Sequence, residues 1–187
     1  MAESPAATHH PAVERRRTAR LWLRRPVADD LAWMTELHSD PLNYAFAPDR
    51  AHSPDQARAL SQSLLDAWEA DPVGYWIAEP ADGVEVTAAS APRRIGMAGV
   101  RPSSLAGRPC FNLYFRFVVA VRGRGFAAEA SQEAIAVAAE LDPSRPVVVR
   151  TREANLPARR LAETLGLIRR VDLDTLTAGF VVYVSDW

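Results

Sequence analysis

A chain of 187 residues, 48% hydrophobic and 24% charged, with a formal net charge of -1, has the composition of an ordinary globular domain that can bury a proper core. That balance argues against a nucleic-acid-binding stripe or a membrane-surface protein, and no apolar run approaches the length of a transmembrane helix. All 22 basic residues are arginine, so Schiff-base chemistry, a P-loop lysine and a Ser-x-x-Lys nucleophile are excluded. The single cysteine, Cys110, has no disulfide partner within the chain. The histidines (His9, His10, His38 and His52) form no zinc pattern, so no metal is expected. The opening "MAESPAATHHPAVERRR" lacks the apolar core of a secretory signal, which makes the cytoplasm the expected location.

Residues 1–17 lack apolar periodicity and read as a mobile tail, with Arg15, Arg16 and Arg17 as a solvated or docking patch. One domain is expected over 18–187. "RLWLRRP" alternates as a first strand with Leu21 and Leu23 on one face. Asp29 and Asp30 fit the first turn of a helix that turns Leu31, Met34 and Leu37 inward. After a loop, "SPDQ" opens a second helix as a capping box, with Ser53 as the cap, Pro54 at the first position and Gln56 reaching back. Its buried stripe is Ala57, Leu60, Leu64 and Trp68.

"YWIAE" reads as a strand, followed by a polar connector through "PADGVEVTAASAPR". "RIGMAGV" and "FNLYFRFVV" read as strands joined by a loop through "SSLAG". Phe126, Ala130, Ala134, Val137 and Leu141 keep one helical face, and "VVVR" is a short strand apolar on both faces. "NLPARRLAETLG" is a helix capped by Asn155 and stopped by Gly166; "LIRRV" and "FVVYV" are closing strands. Helices interspersed in a mixed sheet give an α/β or α+β fold.

The stretch "VRGRGFAAEA" places two glycines and two arginines where a strand hands over to a helix. A helix N-terminus presents unpaired N–H groups, and glycines let an anion approach them closely. Gly123 and Gly125 would supply that freedom, while Arg122 and Arg124 would add charge. A plain turn needing one positive-φ residue explains the glycines equally well. A dinucleotide fingerprint fits poorly, because position 128 is alanine and four strands precede it.

"RGRGFA" resembles the R/Q-x-x-G-x-G/A motif of the GNAT superfamily of acyl-CoA-dependent N-acyltransferases, with Arg122, Gly125 and Ala127 on its key positions. "NLPARRLAETLGL" is similar to that family's segment after its fifth strand, matching at Asn155, Glu163 and Gly166. "LHSDP" followed by "SPDQARALSQSLLDAW" resembles the branch containing ribosomal-protein N-terminal acetyltransferases. The resemblance implies a mixed, mostly antiparallel sheet flanked by helices. It implies acetyl-CoA as cosubstrate, with the pyrophosphate on the amides of Gly123, Arg124, Gly125, Phe126 and Ala127. The pantetheine would lie along Phe117, Val118 and Val119, and Asn155 would touch it or the acceptor. The acceptor would be a small amine or a protein N-terminus, and the protein a monomer or homodimer.

The residues that relatives use for proton transfer are absent. Asn112 stands where a glutamate is frequent, and Ala158 and Ala162 stand where Ser and Tyr are frequent. The remaining candidates for proton transfer are Glu153, Tyr114 and Asn155, with Asn112 for contact with the acceptor; Arg116, a charge in an apolar strand, reads equally as the partner of a buried carboxylate or as a contact to an acidic group on the acceptor. His38, Asp40 and His52 flank the acceptor region and read equally as caps or surface residues; Cys110 reads as a buried strand residue. Without a dedicated base, an α-amine with a pKa of about 8 suits such a site better than a lysine amine at about 10.4. An N-acetyltransferase is the favoured function; a non-catalytic acyl-CoA-binding module with the same fold is the alternative.

Overall fold

In the computed structural model, which describes residues 11–48, 51–86, 93–174 and 179–187, eight strands form one mixed sheet flanked by helices. The strands are β1 (Arg15–Arg17), β2 (Leu21–Arg24), β3 (Tyr75–Pro80), β4 (Gly96–Leu105), β5 (Arg108–Phe117), β6 (Val147–Arg152), β7 (Ile168–Arg169) and β8 (Phe180–Val184). The helices are α1 (Pro11–Glu14), α2 (Leu31–Ser39), α3 (Pro54–Ala70), α4 (Phe126–Leu141) and α5 (Leu156–Thr164). Sheet order is β1-β2-β3-β4-β5-β6-β8-β7, and among the described residues β5 and β6 are the one parallel pair. This is the expected mixed, mostly antiparallel sheet.

Period-two alternation sends the strands' side chains into two cores. Tyr75 and Ile77 of β3 and Met97 of β4 pack with Met34, Leu37 and Leu64 from α2 and α3. Trp76, Ala78 and Ala98 face the other way, with Phe126, Ala130, Ala134 and Val137 of α4. Because both faces are covered, "YWIA" and "VVV" are continuous apolar runs rather than alternating ones. The capping box forms as expected: Gln56 N–H donates to Ser53 Oγ at 3.3 Å and Ser53 N–H donates to Gln56 Oε1 at 3.0 Å. Such a cap contributes about 1 kcal/mol. Asp30 is fully buried and bound by both terminal nitrogens of Arg24 at 2.7 and 2.9 Å and by Arg94 Nε at 2.7 Å, tying β2 to the start of α2.

Several expectations are corrected. Residues 11–17 are not part of a mobile tail: β1 pairs with β2, and Arg16 binds Glu133 at 2.5 Å and Glu140 at 3.0 Å on α4. The guanidinium groups of Arg15 and Arg17 lie over Trp22, and the Trp76 indole donates to the Val13 carbonyl at 2.7 Å. An edge strand needs charged residues to stay soluble, and the carboxylate partners of Arg16 are more than a hundred positions away in sequence. "SSLAG" is no loop either. Ser103 to Leu105 continue β4, and the chain reverses at Ala106 and Gly107, both at positive φ (50° and 77°), as a two-residue hairpin requires. Leu31 and Leu60 are half-buried, and β7 is only two residues long. The polar connector lies partly, and residues 1–10 wholly, outside the described residues. Among the described residues, no helix is long and apolar enough to cross a membrane.

Candidate active site

The site begins where two strands part. Phe111 pairs with Val147 and Asn112 with Val148, and the parallel ladder then ends. β6 continues on its other side against β8 as far as Arg152. A cleft of about 570 Å³ opens in the gap, walled by residues 113–116 of β5, 149–152 of β6, the start of α5, and the segment between α2 and α3. Val118 N–H donates to Ile95 on the β4 side, while Phe111 N–H donates to Pro146 on the β6 side. Peptide groups alternate sides along a strand, so those of Phe115 and Phe117 face the gap. Of the expected pantetheine edge, Phe117 therefore offers its peptide group, with its side chain buried against α4; Val118 has its amide turned away.

Just beyond, the strand turns into α4. Gly123 and Gly125 hold φ of 74° and 82°, and Gly125 is the N-cap without any side-chain cap. The amides of Gly123, Arg124, Gly125, Phe126, Ala127 and Ala128 have no hydrogen-bond partner among the described residues. Gly123 and Gly125 are exposed, so this run of donors at the positive end of a sixteen-residue helix is open to an anion. The two arginines have partners in neighbouring loops, while Arg124 also lies over the Phe126 ring with its Nη1 unpartnered. Arg122 donates to the Leu42 carbonyl and to Asn43 Oδ1; Arg124 donates to the Glu85 carbonyl at 2.6 Å. They brace the turn against neighbouring loops. Arg20 reinforces the brace by donating to the Arg124 carbonyl at 2.9 Å and to Glu129 in the first turn of α4.

Tyr114 lines the cleft and His38 lies behind it. His38 Nδ1 donates to the Met34 carbonyl at 2.7 Å, which leaves Nε2 to accept the Tyr114 hydroxyl at 2.9 Å. Burial pushes His38 down to about 4, so it is neutral, and burial pushes the Tyr114 phenol up to about 12. The phenol proton is thus committed to an inert imidazole. Asn155 also lines the cleft, yet both ends of its amide are engaged: Oδ1 caps α5 at Ala158 N–H and Nδ2 donates to Thr151 Oγ1. Ala158 lines the cleft and Ala162 is buried.

The other sequence candidates separate. Asn112 is not on the cleft wall and donates to the Tyr75 hydroxyl at 2.7 Å. The Glu153 side chain is 54% exposed beside Arg169, away from the cleft. Cys110 is buried next to Val148 and Val182, and burial raises its thiol. Arg116 is on the wall, 4.6 Å from the Tyr44 ring, with Nη1 buried and without an acceptor.

One functional candidate was passed over too readily from the sequence. His52 lines the cleft with its ring 5.6 Å from Tyr44, and neither ring nitrogen has a hydrogen-bond partner among the described residues. Burial, then the Arg116 charge, lower its pKa, so it stays an unprotonated base at neutral pH. Nothing in "RAHSPD" marks it as such, because its neighbour Tyr44 comes from another turn. Arg150 and Arg152 were also unremarked, although period two puts them on one face of an otherwise apolar strand. Among the described residues, no group of His, Cys, Asp and Glu is arranged to hold a metal ion.

A sequence search among curated proteins finds no match. Several solved structures share the fold. An acetyltransferase from Agrobacterium tumefaciens str. C58 is similar with a TM-score of 0.73 at 19% identity, covering 94% of this chain and 95% of its own. A protein assigned to the GNAT acetyltransferase family from Bordetella pertussis gives 0.70 at 22% identity, covering 91% and 98%. RimL, described as a ribosomal L7/L12 α-N-protein acetyltransferase in complex with coenzyme A, gives 0.64 at 12% identity, covering 89% and 94%. The profile of the acetyltransferase (GNAT) domain matches residues 20–168, most of the sequence, and this chain belongs to the GNAT acetyltransferase family.

Proposed function

We propose that the protein transfers an acetyl group from acetyl-CoA to a primary amine, a peptide N-terminus or a small α-amine, by direct attack in a ternary complex. The observation that carries this reading is the continuity of two unpartnered backbone surfaces. The parted edge of β5 leads straight into the run of open amides from Gly123 to Ala128. A pyrophosphate fits the second, and an extended amide-bearing arm fits the first. The coenzyme supplies an activated acetyl thioester.

The chain's own residues supply placement and proton transfer. An N–H of the β5 edge, at Phe115 or Phe117, donates to the thioester oxygen as negative charge grows there. The amine lone pair forms the new C–N bond, the C–S bond breaks, and the sulfur keeps the electron pair. His52 accepts the proton that the amine loses and returns it to the thiolate, so the products are the N-acetylated amine and the free thiol. Tyr114 shapes the wall and leaves proton transfer to His52, because its hydroxyl is bound to His38.

The test is thiol release from acetyl-CoA with a panel of primary amines, with product mass as a second readout. Release that depends on the amine, with a gain of one acetyl group on it, is expected. Coenzyme binding by calorimetry without amine-dependent release would instead establish a non-catalytic acyl-CoA-binding module.

A further inference from the structure

Among the described residues, the cleft wall carries arginines and no carboxylate. The arginines are Arg116 from β5 and Arg150 and Arg152 from β6. Even-numbered residues of both strands project to one face: Val148 packs with Cys110, and Tyr114 packs with the α2–α3 core. Arg116 and Arg150 therefore reach the same side of the parted sheet, the side covered by the segment between α2 and α3.

Neither of these two is neutralised. Arg116 has no carboxylate partner among the described residues: it lies over the Tyr44 ring, beside the Tyr114 phenol, and its Nη1 is buried without an acceptor. Arg150 has a cation–π contact with Phe180 at 4.6 Å and no ion pair among the described residues. Six other arginines contrast with them: Arg16, Arg20, Arg24, Arg25, Arg169 and Arg170 each hold a carboxylate at 3.0 Å or less. A half-buried guanidinium without a counter-charge is costly unless a ligand supplies one. The open amides at α4 are not on the described cleft wall, which carries Arg116 and Arg150.

We propose that the acceptor amine carries a carboxylate, held by Arg116 and Arg150, with its amino group beside His52. This rests on the acetyltransferase reading and deepens it. The imidazole and the Arg116 guanidinium flank one ring, Tyr44, at 5.6 and 4.6 Å, so one small molecule can span both. Amino acids, and short peptides with an acidic side chain near the N-terminus, have that chemistry.

The experiment uses acid and amide pairs: amino acids against their carboxamides, and peptides beginning Ser-Asp against Ser-Asn. In the wild type, the acid member of at least one pair set should show a kcat/KM about tenfold or more higher, carried by KM, as charge-assisted bidentate binding predicts. Arg150→Gln, an exposed position whose loss spares the core, should close most of that gap and leave coenzyme affinity unchanged. Arg116→Gln, if it folds, should do the same. Equal constants for acid and amide overturn the proposal; so does an Arg150→Gln variant that weakens coenzyme binding and not acceptor binding, which would assign the charge to a phosphate. Calorimetry on the coenzyme-loaded protein separates the two readings. An acid that binds better than its amide without being acetylated supports the anion site and refutes acetyl transfer. No difference in binding refutes the anion site whatever the turnover.

Discussion

Two histidines near one cleft differ in what holds them, and the difference sets their roles. His38 is fully buried, with both ring nitrogens committed, and its pKa near 4 lies below the ordinary 6.5. A depressed imidazole pKa means that the unfolded chain binds the extra proton first, so stability falls as pH drops through 6.5 and stops falling near 4. By pH 5 the loss relative to pH 7 is about 2 kcal/mol from this group alone. Thermal unfolding at pH 7 and pH 5 should show that loss in the wild type, and a smaller one in His38→Gln; an equal drop in both would remove His38 as its source. His52 is also depressed, but it is open to the cleft and unclaimed. In the proposed mechanism its neutral form is the base, so kcat should rise with pH through a midpoint below 6.5 and then level off. His52→Gln should lose that acid limb and about a hundredfold in kcat, the lower end of what general bases contribute. A retained limb in the variant would place the base elsewhere.

At the scale of elements, the start of α4 and the β4–β5 hairpin each hinge on left-handed backbone. Gly125→Val puts a side chain on a residue at φ 82°, where the new Cβ meets only the flexible end of Arg20 at 3.2 Å. The strain is about 1–2 kcal/mol, which leaves the fold intact. The side chain would stand over the open amides, however, and charge-assisted bonds contribute about 1.5–3 kcal/mol each, so coenzyme affinity should fall at least tenfold. Unchanged affinity by calorimetry would refute the placement of the pyrophosphate. Ala106 sits at φ 50° before Gly107. Ala106→Asn, the residue favoured at that turn position, should raise the melting temperature with no effect on binding. Elements announced by local chemistry were legible: the Ser53–Gln56 box, the stripe of α4, and the glycines before it. Those decided by distant partners were not. The β1 arginines look like a tail until Glu133 and Glu140 stand beside them, and Ser103 looks like a loop until it pairs with Cys110. The cleft followed the same rule: Arg116 was visible as a charge in an apolar strand, whereas His52 acquires meaning only beside Tyr44.

At the scale of the whole molecule, the site exists because one sheet is left unfinished. Two residue pairs join β5 to β6, and every other strand junction is antiparallel. Opening the sheet there gives a gap between β5 and β6. The turn leading into α4 places the proposed coenzyme anchor at the end of β5, and the segment between α2 and α3 covers the side on which Tyr114, Arg116 and Arg150 project. Such a gap suits two reactants meeting through it and offers no group to store the acetyl unit between them. Lysine is absent from the sequence, and the sole cysteine is buried away from the cleft wall with its thiol raised by burial. A thiol so placed is neither ionised nor reachable. Initial rates against acetyl-CoA at several fixed amine concentrations should therefore give intersecting double-reciprocal lines, as a ternary complex requires. Cys110→Ala should retain most of the activity, at a stability cost confined to the cluster it shares with Val148, Val182 and Val184. Parallel lines, or an acetyl group found on Cys110 by mass spectrometry, would show that the acetyl unit rests on the protein between donor and acceptor, and direct attack would have to be abandoned.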